Sequence, residues 1–174
     1  MVMKFFLGLF AASVLLNFNA SFAAEQSDPE VVSNVNFNKY EGFWYEIAHA
    51  PNFFQQGCLR SAAEYSILNA NSVSVKNTCY KSDGSTSDIE GTATVADPTI
   101  PAKLKVRFNI FVRGDYWIVD LDPNYQWAVV SGPRKKSLFI LSRQAPMDAQ
   151  LLKGIIDRLK QRGFETDDLI YDQY

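Results

Sequence analysis

The sequence predicts an all-β protein: an eight-stranded up-and-down antiparallel β-barrel with one C-terminal α-helix packed outside. Three observations carry this expectation. Apolar and polar residues alternate from Tyr40 to Arg143, turn-forming clusters break the alternation at short intervals, and the period changes to a helical one only once, near residue 147. Closing eight short strands on themselves leaves no exposed sheet edge, which favours a barrel over an open sheet.

The elements follow in order. "GFWYEIAHA", residues 42–50, is the first strand. "AAEYSIL" and "SVSVKNTCY" come next, joined by "NANS", a hairpin signal. "IEGTATV" sets Ile89, Gly91, Ala93 and Val95 on one face against Glu90, Thr92 and Thr94. "KLKVRFNIFV" alternates most clearly: Leu104, Val106, Phe108 and Ile110 face one way, and Lys103, Lys105, Arg107 and Asn109 the other. "DYWIVDLD", "QWAVVSG" and "SLFILSR" supply three more strands, separated by "PNY" and "GPRKK". In "MDAQLLKGIIDRLKQRG", Leu151, Leu152, Ile155, Ile156 and Leu159 recur at helical spacing, with Asp148 to cap the start and Gly163 to stop the end. "DLIYDQY" adds a short final strand. An outer-membrane barrel would turn its apolar faces to lipid and leave the helix stripe without protein cover; a soluble barrel offers that stripe its outer wall.

Residues 1–23 have the form of a secretory signal peptide: Lys4, the apolar run "FFLGLFAASVLL", and small residues at Ser21 and Ala23. The apolar run is shorter than the ~20 residues a membrane-spanning helix needs. No cysteine stands near the cleavage site, so acylation as a lipoprotein is not expected. Residues 24–34 read as a polar tail, and residues 35–174 as a single domain. The exported chain is expected in the periplasm, or associated with an outer membrane if the cell is Gram-negative. With 17 basic against 19 acidic side chains the net charge is −2, and no basic face for nucleic acid emerges. A single histidine, His49, argues against a histidine-based metal centre, and no cofactor is expected. Two cysteines in an exported chain point to a disulfide between Cys58 and Cys79. Folding the second hairpin about residues 69–72 sets Cys79 opposite about residue 62. Cys58 therefore needs a bend to come within the ~7 Å that a disulfide requires.

Three motifs then carry a resemblance. "GFWYEI" at residues 42–47, "DLDPNYQWAVVSG" with Asp122 and Tyr125 at its turn, and "LFILSR" ending at Arg143 stand in the order found in lipocalins. With "EGTATV" and "PAKLKVRF" between them, the chain resembles the bacterial lipocalin and apolipoprotein D branch. The resemblance implies the lipocalin calyx, with Trp44 plugging its closed end and Arg143 lying over the indole. Gly42 lets the chain pass beneath the barrel floor. It also makes Asp122 and Tyr125 turn-fixing residues and the loop after the first strand a flap over the open mouth, carrying Phe53 and Phe54.

Taking charged faces as outward, the cavity wall is expected to comprise Ile89, Val95, Leu104, Val106, Phe108 and Ile110. Analogous parity adds Tyr65, Val75, Trp117, Val119, Phe139 and Leu141, and Gly91 and Ala93 are expected to leave space. Such a wall favours a small lipophilic ligand, because each buried methylene contributes ~0.8 kcal/mol. Glu46 is expected inward as a structural hydrogen-bonding residue, and His49, of opposite parity, at the surface. The leading expectation is a non-catalytic carrier of a fatty acid, lysophospholipid or similar lipid, serving envelope lipid transport, storage or stress response. The carrier is expected to be a monomer or weak homodimer, with transient membrane contact through Phe53 and Phe54. The alternatives are a lipocalin-like enzyme using Cys58 or Cys79 as nucleophile, and a ligand-free interaction domain.

Overall fold

In the computed structural model, which describes residues 27–174, the alternating segments form the expected strands. These are β1 (Gly42–His49), β2 (Cys58–Asn69), β3 (Ser72–Lys81), β4 (Thr86–Val95), β5 (Lys103–Arg107), β6 (Arg113–Leu121), β7 (Trp127–Ser131) and β8 (Leu138–Ser142). The predicted signal peptide, residues 1–23, lies outside the described residues. Each strand pairs antiparallel with the next, and β1 pairs with both β2 and β8, so the eight strands close into an up-and-down barrel.

Closure is different at the two ends. Near the start of β1 the partners pair directly, from Gly42 opposite Tyr65 to Tyr45 opposite Ala62. Beyond Tyr45 the two strands diverge, and residues 170–174 fill the seam. The short strand β9 (Ile170–Tyr171) pairs with β1 at Ala48 and His49. Asp172 N–H donates to Ile47 O on one side, and Gln173 N–H donates to Leu59 O on the other.

One short helix was not signalled by the sequence: α1 (Phe37–Tyr40), capped by the Asn36 side chain, which accepts from Asn38 N–H. The stretch expected to be a polar tail is docked over its described part, residues 27–34. Val32 N–H donates to Ile118 O at 3.0 Å, and Arg162 Nη2 donates to Glu30 O at 2.9 Å. Val31, Val32 and Val35 pack on the core within a segment whose average composition is polar.

The longer helix α2 (Ala149–Gln161) has the caps read from sequence. Asp148 accepts from Leu151 N–H, and Gly163 follows at φ +75°. Its apolar stripe covers the outer wall of the barrel: Ile155 and Leu159 are fully buried in a cluster with Ile47, Val119, Val129 and Ile140. Among the described residues no helix is long and apolar enough to cross a membrane.

β5 ends sooner than alternation suggests. Asn109 Oδ1 accepts from both Phe111 N–H and Val112 N–H at 2.8 Å, folding residues 108–112 into a turn. Ile110, expected in the wall, therefore stands at a hairpin tip and is 65% exposed. Strand directions put this turn at the same end as residues 50–57, 82–85 and 132–137, which together form the mouth. The floor carries α1 and the turns at 70–71 and 122–126.

Candidate functional site

The floor is built around Trp44, which is completely buried and donates from Nε1 to Tyr40 O at 2.8 Å. The Arg143 guanidinium lies 3.8 Å from the centroid of the indole ring. Its nitrogens donate to the carbonyls of Phe43 at 2.7 Å, Glu41 at 2.8 Å, Lys39 at 3.0 Å and Tyr40 at 3.1 Å. Arg143 thus satisfies the carbonyls that end α1 and ties that helix to β1 and β8. Gly42 is at φ +97°, a backbone conformation suited to glycine, and a Cβ there would sit 3.4 Å from Arg143 Nη1. Asp122 Oδ2 accepts from Asn124 N–H and Gln126 N–H and holds the turn. Tyr125, at φ 60°, accepts from Asn36 N–H at its hydroxyl.

Above Trp44 three tyrosines join. Tyr116 Oη is 2.7 Å from Tyr40 Oη and donates to Tyr65 Oη at 2.9 Å. Burial raises the pKa of all three phenols, so they line the lumen as neutral hydroxyls.

The inner cluster unites Tyr65, Val75, Val95, Leu104, Val106, Phe108, Phe139 and Leu141, eight of the twelve residues assigned to the wall. Ile89 shares their parity but stands towards the mouth, 38% exposed. Trp117 and Val119 are corrected: both lie on the outer wall. Leu104 pairs with Tyr116, and residues opposite each other in a ladder share a face, so Tyr116 and Ile118 point inward. Trp117 instead stacks under Lys103, whose Nζ is 4.0 Å from its ring, and Val119 packs in the cluster beneath α2. β6 is apolar on both faces because helix and lumen cover one each, and alternation cannot then tell them apart.

The expected space at Gly91 is also corrected. A Cβ there would lie 2.5 Å from Arg107 O and 2.7 Å from Phe108 Cδ1, because Phe108 folds over it. Open space lies instead at Gly114, an exposed residue near the mouth. This residue pairs with Val106 and so faces inward, and a Cβ added to it would meet only Val106 Cγ1, at 4.0 Å. On the same inner face, Val106, Phe108, Tyr116 and Phe139 are only half-buried. An inward glycine opposite an inward valine is the sequence signal that could have located it. A separate concavity of about 380 Å³ lies beneath the floor, between Asn34–Asn38 and Ile67–Ala70, outside the lumen.

The mouth half of β1 departs from simple alternation. A bulge between Glu46 and Ala48 inserts one residue and reverses the parity after it, so both Glu46 and His49 point inward, opposite Leu141 and Phe139. His49 is consequently 5% exposed, not a surface residue. Its Nε2 is 3.9 Å from Glu46 Oε1. Gln55 Nε2 donates to the Glu46 carboxylate and to Ser61 Oγ. Asp172 accepts from Ser61 N–H at 2.5 Å, and the Tyr174 hydroxyl is shared between Glu46 O and Ser61 O. Burial pushes the Glu46 carboxyl up to about 8, reinforced by the nearby Asp172 charge. Burial also pushes Asp172 up, to about 6.

Cys58 and Cys79 form a disulfide with Cα atoms 5.4 Å apart, made possible by a register shift between Cys58 and Arg60. Both thiols are thereby consumed, so neither is a free nucleophile. Phe53 and Phe54 lie on the flap in a short 3₁₀ turn capped by Asn52, 77% and 75% exposed. Across the mouth, Phe111 is 86% exposed beside Ile110.

Known proteins share this organisation. A family described as "Lipocalin-like domain" matches residues 35–173. The chain is 36% identical to the outer membrane lipoprotein Blc of Vibrio cholerae, over 95% of this chain and 96% of that one. It is 36% identical to temperature-induced lipocalin-1 of Arabidopsis thaliana, over 83% and 82% of the two chains. Apolipoprotein D of Bos taurus is 41% identical over 54% of this chain and 50% of its own. Insecticyanin from the tobacco hornworm has the same fold, with a TM-score of 0.65 at 18% identity, covering 84% of this chain and 85% of its own. A floor sealed by an arginine on a buried tryptophan, an up-and-down barrel and these matches make one conclusion: the chain belongs to the lipocalin family, whose members typically bind small hydrophobic ligands and are generally non-catalytic carriers.

Proposed function

We propose that this protein carries a single-chain lipid, a fatty acid or lysophospholipid, in the barrel lumen without turning it over, and serves envelope lipid transport, storage or stress response. The observation that carries this reading is an inner face of apolar and aromatic side chains only half covered by their own fold, with open space at Gly114 beside Val106. An acyl chain laid there covers Val106, Phe108, Tyr116 and Phe139 at once, each methylene contributing ~0.8 kcal/mol. The relatives named Blc are outer membrane lipoproteins, which supports an envelope location.

Uptake is from a membrane surface. Phe53, Phe54, Ile110 and Phe111 are exposed apolar side chains on two mouth loops, and the second loop is flanked by Arg107 and Arg113, opposite each other at the end of the β5–β6 ladder. Aromatic tips reach the acyl boundary while the guanidinium groups stay among phosphates.

Titrating mature protein with fatty acids and lysophospholipids of increasing chain length tests the reading, with stoichiometry by native mass spectrometry. One molecule is expected to bind saturably, and affinity to rise with chain length. Absence of saturable binding across the series contradicts it.

A further inference from the structure

We propose that Glu46, His49 and Asp172 form a binding site for one divalent transition-metal ion of the Zn²⁺ class, which fastens the seam between β1 and residues 170–174 at the barrel mouth. This goes beyond lipid carriage and stands independently of it.

One ligand atom from each of the three residues can be chosen so that all lie within 4.8 Å of one another. Ligands around a four-coordinate Zn²⁺ are about 3.3 Å apart, given metal–ligand bonds of ~2.0–2.1 Å. The cluster therefore needs a contraction of about 1.5 Å at its widest, within reach of two carboxylate side-chain rotations.

The histidine supplies an independent pointer. Nδ1 is 2.9 Å from the carbonyl oxygen of Ala50. The Asn52 amide nitrogen also approaches Nδ1, at 3.2 Å; the shorter contact is to an acceptor, and it favours the tautomer in which Nδ1 carries the proton and donates it to Ala50 O. In that tautomer the Nε2 lone pair is free, and Nε2 has no hydrogen-bond partner within the protein among the described residues, in a side chain that is otherwise 5% exposed. It faces Glu46 Oε1 at 3.9 Å. A backbone carbonyl fixing one ring nitrogen while the other faces a carboxylate is the arrangement that orients metal-binding histidines.

The charge balance agrees. Two buried or half-buried carboxyls and an imidazole converge, and among the described residues no lysine or arginine is hydrogen-bonded or ion-paired to either carboxyl. A divalent ion supplies the counter-charge. One nitrogen and two carboxylate oxygens suit Zn²⁺ and its first-row neighbours, whereas Ca²⁺ takes six to eight oxygens. The ligands come from both sides of the bulge and from the strand that fills the seam. The ion would therefore join parts of the chain that are 123 or more residues apart between His49 and Asp172.

His49 is the one histidine of the chain, so tag-free protein gives a single imidazole signal in NMR. After chelator treatment, Zn²⁺ is added alone and followed by that signal, by calorimetry and by thermal melting. The expected result is one equivalent bound, a shift localised at Nε2 with Nδ1 still protonated, and a raised melting temperature. Mg²⁺ and Ca²⁺ should have no such effect at equal concentration. His49→Gln, which keeps a polar side chain, should weaken binding at least tenfold, and Asp172→Asn should do likewise while leaving the barrel folded by circular dichroism. Unchanged imidazole resonances in the parent protein under saturating Zn²⁺ would overturn the proposal, as would full affinity in both variants. If the variants do not fold, the parent's imidazole shift alone decides.

Discussion

Floor and mouth of this barrel are made of similar residues put to opposite uses. At the floor the central polar groups are partnered: Trp44 Nε1 reaches Tyr40 O, Arg143 serves five carbonyls, and three tyrosine hydroxyls bond one another. At the mouth Glu46 and Asp172 sit with raised pKa values, β1 and β2 part, and a pair of phenylalanines faces solvent. The floor is saturated and the mouth is unfinished. A binding site belongs at the unfinished end, because a ligand adds most where the protein has satisfied itself least.

Substitutions should expose this division, beginning with the largest effect. Trp44→Ala removes a fully buried plug and should destabilise the barrel by about 3–5 kcal/mol in chemical denaturation, with ligand preference unchanged among molecules still folded. Retained stability would break the assignment of the floor as purely structural.

A pH series should come next in size. Glu46 and Asp172 have folded-state values raised to about 8 and about 6, so the folded state holds their protons more tightly than the unfolded chain does. Their protonation therefore favours folding, and stability should fall as pH rises from about 4 to about 8, by a few kcal/mol at most. Tyr174, Ser61, Gln55 and His49 surround these groups, with Arg60 beyond the Tyr174 ring. In metal-free protein, Glu46→Gln should flatten most of that decline in melting temperature; an unchanged slope would assign it elsewhere.

Arg143→Ala should cost about 2 kcal/mol, since its guanidinium is half exposed although its hydrogen bonds are charge-assisted. The smallest thermodynamic effect belongs to the flap. Phe53→Ser with Phe54→Ser should leave melting within about 0.5 kcal/mol of the parent, because both side chains are already in solvent. Transfer of lipid from vesicles should nevertheless slow several-fold while binding of monomeric ligand stays the same. Equal losses in both assays would make these residues ordinary cavity wall.

How far the sequence reveals the molecule differs between the same two regions. Floor residues could be read through the resemblance to lipocalins, because the motifs that carry it are short and local: a glycine before an aromatic strand, an arginine closing the last strand, an aspartate heading a turn. Strand order and α2 followed from periodicity, since one face of β5 is charged and one face of α2 is apolar. Parity failed where both faces are covered, as at Trp117 and Val119, and where a bulge reverses it, as at His49. Gly91 misled because a missing side chain can admit a neighbouring ring, here Phe108, as readily as a ligand. Asp172 could not be joined to Glu46 from sequence, because their meeting depends on residues 170–174 filling a seam that no local pattern announces.

The central claim is that the lumen beside Gly114 is where a lipid binds. Replacing Gly114 by Leu places a side chain where a Cβ now meets nothing closer than Val106 at 4.0 Å, so it should fill the gap at little cost to folding. A fluorescent fatty acid displaced by unlabelled lipid should report one saturable site in the parent and at least a tenfold weaker one in Gly114→Leu, with both proteins melting within a few degrees of each other. Equal affinity in the two proteins would contradict the account.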